Sequence, residues 1–116
     1  MAHHLAANRL KGRIGEALAC LLLLAKGYRL VTRNSRAGGA EVDAIWRQGD
    51  TLVLVEVKFR PTLAAGHVAI HPHQKARLQR QLNAWQQRLR HQGSVRLDVV
   101  LVAPIWPFIE HHRNVG

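Results

Sequence analysis

Apolar residues recur at helical spacing from the start of the chain. Leu10, Ile14, Ala17, Leu18, Leu21 and Ala25 predict a first helix over about Leu5 to Lys26, stopped by Gly27. Gly12 and Gly15 weaken its first half by about 1 kcal/mol each relative to Ala, which points to close packing, a nearby ligand or chance. Tyr28 to Arg33 reads as a short strand and Asn34 to Gly39 as a polar loop. Glu41–Arg47 and Thr51–Phe59 flank Gly49-Asp50 and predict a hairpin. Its second strand carries Val53, Val55 and Val57 on one face, and Leu54, Glu56 and Lys58 on the other. So apolar a strand suits a central position, covered on both faces. Arg60 to His71 contains Pro61 and Gly66 and reads as a loop. A second helix follows, with Pro72 near its first turn, Gly93 past its end and a core stripe of Leu78, Leu82, Trp85 and Leu89. Val95 to Ala103 is an apolar strand, and Phe108 to Arg113 a short edge strand. The order α-β-β-β-α-β predicts an α/β fold, a mixed sheet flanked by helices.

The hairpin fixes a register with chemical consequences. Strands folded about a two-residue turn at Gly49-Asp50 set Asp43 opposite Glu56 and Glu41 opposite Lys58. Gly at the first turn position suits a type II′ turn. Directly opposed side chains have Cβ atoms about 5 Å apart, where like charges repel. At an effective dielectric of 20 the repulsion is roughly 3 kcal/mol. A divalent cation would remove that cost. Magnesium is held by one or two carboxylates plus water and phosphate oxygens, and it can activate water against a phosphodiester. A lysine beside it could orient that water. The plainer alternative has Glu41 neutralising Lys58 while Asp43 and Glu56 sit at a solvated sheet end.

Composition adds direction. The 116 residues fit one domain, residues 1–116, large enough to bury roughly two thirds of the unfolded surface. Lys and Arg number 17 against 7 acids, a net charge of +10, and most of the basic residues are Arg. Such an excess predicts a polyanionic partner, above all nucleic acid. The apolar run Ala17–Ala25 is far short of the ~20 residues of a membrane span, and no signal-peptide pattern is legible, so the expected location is cytoplasmic.

Other residues leave choices open. Glu16 lies on the helix side opposite Ile14 and Leu21, either as a solvated charge or, because Ala19, Cys20 and Leu23 share that side, as an isolated acid with a purpose. Cys20 reads as a small buried hydrophobe. His71-Pro72-His73 and His111-His112 lack the cysteine partners and the helical spacing of a zinc site. Trp46, Trp85 and Trp106 are expected to pack in the core, not to stack on bases.

Together the motifs resemble a known family. Gly15-Glu16-Ala17, Gly27-Tyr28, Arg33-Asn34, Ala40-Glu41-Val42-Asp43 and Val55-Glu56-Val57-Lys58-Phe59-Arg60 are similar to the YraN family. So are Gln74-Lys75, Arg96-Leu97-Asp98-Val99-Val100 and the ending Ile109-Glu110-His111-His112-Arg113-Asn114. Ala40 departs from the usual Gly of that pattern. The YraN family in turn resembles the PD-(D/E)XK nucleases, which have the restriction-endonuclease-like fold. The resemblance implies Asp43 as the first motif acid, Glu56 and Lys58 in the E-x-K positions and Glu16 as the acid of the first helix. It also implies a metal contact from the Val57 backbone carbonyl and a phosphate contact from Lys75. The expected function is a Mg²⁺- or Mn²⁺-dependent endonuclease acting on branched or structured nucleic acid, with DNA favoured over RNA. Arg60, Lys75, Arg77 and Arg80 would grip phosphates. The alternative is a non-catalytic nucleic-acid-binding module. Symmetric cutting would want a homodimer, and no dimer face is legible.

Overall fold

The computed structural model describes the backbone of residues 2–35, 41–68 and 72–115, and side-chain surroundings for residues 13–33, 43–65 and 74–115. The side-chain surroundings of Leu10, Gly12, Glu41 and the His71–His73 pair, and most of the Asn34–Gly39 loop, lie outside that description. In chain order the elements are α1 (Ala2–Ala25), β1 (Arg29–Ser35), β2 (Glu41–Gln48), β3 (Thr51–Phe59), α2 (Leu63–Val68), α3 (Pro72–Arg88), β4 (Val95–Val102) and β5 (Ile109–His112).

The five strands form one sheet in the order β1-β2-β3-β4-β5. Strands β3 and β4 are parallel and the other pairs antiparallel. A parallel pair needs a long crossover, and α2 with α3 provides it. The predicted register holds throughout the hairpin, from Gln48↔Thr51 to Asp43↔Glu56 and Glu41↔Lys58. Gly49 has φ +57°, while Asp50 is not among the positive-φ residues; this fits the type II′ turn and not type I′.

Every residue from Leu52 to Lys58 is buried, as expected of a central strand. On one face Val53, Val55 and Val57 join Trp46, Val100 and Val102 beneath Ala19 and Leu23 of α1. On the other, Leu52 and Leu54 join Ile45 and Leu97 beneath Leu78 and Leu82 of α3, with Trp85 and Leu89 at the margin.

Three expectations change. Helix α1 turns Gly15, Ala19 and Leu23 to the sheet and leaves Ile14, Leu18 and Leu21 exposed, the reverse of the predicted stripe. The helix is apolar on nearly every side, so periodicity could not choose its face. Close approach did. A Cβ on Gly15 would collide with the Phe59 ring and meet Val102 at 3.1 Å. Next, the Arg60–His71 stretch contains α2, whose first turn is capped by Thr62 Oγ1 accepting the Ala65 N–H at 3.1 Å. Six residues containing Gly66 are too short to signal a helix by periodicity. Finally, β1 runs on through Asn34 and Ser35, after a register shift between Leu30 and Thr32. No helix among the described residues is long and apolar enough to cross a membrane.

Candidate functional site

Because side chains alternate along a strand, Asp43 shares the α3 face with Ile45, and Glu56 and Lys58 share it with Leu54. All three charged residues are buried, at 2%, 0% and 1% exposure. Buried charges require partners. Glu56 Oε1 accepts from Gln74 Nε2 at 3.1 Å and from Arg77 Nη2 at 3.4 Å, while Lys58 Nζ lies 3.5 Å from Glu56 Oε2. The Glu56 carboxylate is thereby faced by the Lys58 ammonium and the Arg77 guanidinium. Neither acid is isolated; Asp43 Oδ1 and Glu56 Oε2 are buried oxygens for which the described residues supply no close hydrogen-bond donor. Asp43 also borders a small recess with Thr32, Gln81 and Trp85.

The structure brings Asp43, Glu56 and Lys58 together; it does not bring Glu16 to them. Glu16 sits on α1, across the sheet, where it bonds Arg33 Nη2 at 2.5 Å and lines a recess with Ala44, Val55 and Val57. Among the described residues no group of three or more His, Cys, Asp and Glu is arranged to hold a metal ion. Val57 pairs on both sides, with Val42 and Val100. Arg77, expected at a phosphate, turns inward to Glu56, with its side chain 31% exposed. Lys75 is half-buried and Arg80 exposed on the same helix, and Arg60 bonds the Phe59 carbonyl at 2.8 Å.

A second polar cluster lies on the α1 face, and the sequence reading missed it. Asp98, fully buried in β4, accepts from Arg96 Nε at 2.9 Å, Tyr28 Oη at 2.9 Å, His111 Nε2 at 2.9 Å and the Asn114 N–H at 3.0 Å. Burial alone would raise its pKa. The donors His111, Arg96, Asn114 and Tyr28 outweigh that and hold the carboxyl well below the usual range. Burial, then the bond to Asp98, pushes the Tyr28 phenol up, so it keeps the proton it donates. On the far side of His111, Nδ1 lies 2.9 Å from Lys26 Nζ, which donates to it. The signal for this cluster was present: Asp98 is the one acid inside the apolar run Val95–Ala103. Cys20 is half-buried nearby; burial and then the Glu16 charge push its thiol up, away from the reactive thiolate.

The tryptophans divide. Trp46 is buried, and Trp85 packs under Arg88, whose guanidinium lies 4.9 Å from its ring. Trp106 is 79% exposed, against the expectation that it packs.

A profile of the uncharacterised protein family UPF0102 matches residues 15–102, which span both hairpin acids, α3 and β4. The chain belongs to this family, UPF0102 or YraN. It is 45% identical to a UPF0102 protein of Methylorubrum populi over 100 residues, covering 84% of this chain and 80% of that one. A UPF0102 protein of Maricaulis maris is 40% identical over 106 residues, covering 89% and 82%. One from Brucella canis is 38% identical over 100 residues, covering 84% and 79%. The motifs that suggested the YraN family lie mostly inside the matched segment of this UPF0102 chain.

Proposed function

We propose that this UPF0102 protein is a metal-dependent nucleic-acid endonuclease of restriction-endonuclease-like fold, with Asp43, Glu56 and Lys58 as its catalytic residues. The observation that carries the reading is the cross-strand register, which sets two buried carboxylates against each other with a buried lysine on the same face. That donor set fits Mg²⁺ or Mn²⁺, which need only one or two carboxylates when water and phosphate oxygens complete the shell. Asp43 and Glu56 would hold the ion; Glu16, across the sheet, would not share it. When bound, the cation neutralises charge developing on the phosphodiester and lowers the pKa of water.

The protein's own groups would do the rest. Lys58 holds its ammonium beside Glu56, where it can orient the attacking water and stabilise the extra negative charge of the transition state. Arg77 would exchange its contact with Glu56 for the substrate phosphate. That swap also keeps the local charge near balance when a divalent cation arrives. Lys75 and Arg80 on the same helix, and Arg60 after β3, would hold neighbouring phosphates.

Wild-type protein should nick one or more members of a panel of duplex, flapped and four-way DNAs in Mg²⁺ or Mn²⁺ and be inactive in EDTA. Asp43→Ala should lose the activity while keeping a folded circular-dichroism spectrum. Retained nicking by Asp43→Ala would remove this mechanism. A second reading, a binding module without catalysis, is favoured by the basic character of the chain, with its net charge of +10. It predicts salt-sensitive DNA binding that needs no metal and is indifferent to Asp43→Ala.

A further inference from the structure

The segment between β4 and β5 reads Pro104-Ile105-Trp106-Pro107-Phe108 and is exposed along its length. Ile105, Trp106 and Phe108 are 56%, 79% and 44% exposed. Three large apolar side chains together at a loop tip are uncommon in a chain of this charge, and such patches usually mark a contact surface. The loop is not slack. Phe108 N–H donates to the Ile105 carbonyl at 2.8 Å, Ala103 N–H to the Phe108 carbonyl at 2.8 Å, and Ile109 N–H to the Pro107 carbonyl at 2.9 Å. Phe108 has φ +71°, an outlier for a bulky side chain that this turn sustains. Its ring meets Trp106 edge to face, with centroids 5.9 Å apart. The backbone thus holds the two aromatic rings outward.

Topology puts this loop at the candidate site's end of the sheet. Strands β3 and β4 run parallel, so the loop leaves β4 at the end where β3 leaves Lys58 and Phe59. Glu56 is level with Val99 and Lys58 with Leu101, and the Arg60 N–H bonds the Val102 carbonyl at 3.0 Å. From Val99 to Ala103, four residues along the strand, is about 13 Å. That is roughly four base-pair rises of a nucleic acid.

We infer that the Ile105–Phe108 loop is a stacking platform for an unpaired or unstacked base, which directs the site to branched or single-stranded nucleic acid. The inference rests on the nucleic-acid reading above and names its substrate class. Charge selects the occupant: with a net charge of +10 and Arg60 at the root of the loop, a polyanion with aromatic faces is the complementary ligand. Stacking on an exposed aromatic ring is sequence-tolerant and strong enough to matter. In a continuous duplex the bases are already stacked, so the platform gains little there. Apolar loop-tip side chains also serve as wedges that hold a branch point open.

The test measures binding in EDTA, with fluorescein-labelled DNA carrying a single-stranded flap and a continuous duplex of equal length. Trp106→Leu, apolar but lacking a π face, should lose about tenfold or more on the flapped DNA and no more than about twofold on the duplex. Trp106→Phe should keep most of the affinity. The salt slope should be the same in all three proteins, because the phosphate contacts are untouched. Trp106 is exposed, so the unfolding midpoint should not move. Unchanged flap binding by Trp106→Leu, or an equal loss on both DNAs, overturns the inference; unchanged DNA binding would return the loop to a protein or membrane contact. Running Asp43→Ala alongside in Mg²⁺ separates the two proposals. If wild type nicks DNA but Trp106→Leu binds the flap normally, stacking fails and the catalytic reading stands. If flap binding depends on Trp106 but no cation supports nicking, the catalytic reading fails and stacking stands.

Discussion

Lys58→Met should reduce metal-dependent cleavage at least about a hundredfold, because a positioned proton-transfer or water-orienting group contributes 10²–10⁴ to a rate. It should also destabilise the fold by about 3 kcal/mol, since losing one partner of a buried ion pair leaves the other charge uncompensated. Lys58 is 1% exposed and its ammonium lies 3.5 Å from Glu56 Oε2, so water cannot take its place cheaply. Arg77, still against Glu56 Oε1, limits the loss. Met fills the volume of the lysine stem and avoids a cavity. In the double variant Lys58→Met/Glu56→Gln, part of the stability should return, as a double-mutant cycle by urea unfolding would report. If Lys58→Met matched wild type in both stability and nicking, Lys58 would be a passive residue.

The second large effect belongs to Asp98. Asp98→Asn should cost roughly 3 kcal/mol or more at pH 7, because hydrogen bonds to a charged acceptor are worth about 1.5–3 kcal/mol each and the amide presents a donor to groups that donate. Arg96, Tyr28, His111 and the Asn114 N–H all converge on the two carboxylate oxygens. The pH dependence has a fixed sign. The folded-state pKa is depressed, so the contribution is complete above the unfolded pKa of about 3.9 and fades as pH falls below it. Chemical denaturation at pH 7 and at pH 3 should therefore show the wild-type advantage over Asp98→Asn shrinking in acid. An advantage that is equal at the two pH values would mean that the carboxylate charge is not what the cluster uses. This cluster staples β1's approach, β4 and the C-terminal segment on the α1 face. It needs no part in the chemistry proposed across the sheet.

Much of this was legible in the sequence, for identifiable reasons. The Gly49-Asp50 turn fixes a two-residue hairpin, and a two-residue hairpin admits one register. Asp43 against Glu56 therefore followed from residue numbers alone. Helix α3 was legible because its apolar stripe is narrow and its other faces are polar. Helix α1 was not, because Ile14, Leu18 and Leu21 look as fit for a core as Ala19 and Leu23; what decided was the contact room at Gly15 against Phe59 and Val102. Glu16 shows the same limit. Its spacing on α1 admitted it as a ligand, but only the packing of α1 shows that it sits across the sheet from Glu56, held by Arg33. Arg77 shows it again, since a basic residue on a helix reads as a surface charge until the strand beneath presents a buried carboxylate. Trp106 was misjudged because burial is the usual fate of tryptophan, and nothing local distinguishes a packed ring from one held outward by a turn.

The central claim is that Asp43 and Glu56 together form a divalent-cation site. Mn²⁺ titrated into the protein at low ionic strength, with the unbound ion counted by its electron paramagnetic resonance signal, tests it most directly. Wild type should take up one ion per chain, and Asp43→Asn, though folded, should not take it up at the same concentrations. Equal uptake by the two proteins, or none by wild type even with a flapped DNA present, would contradict the account.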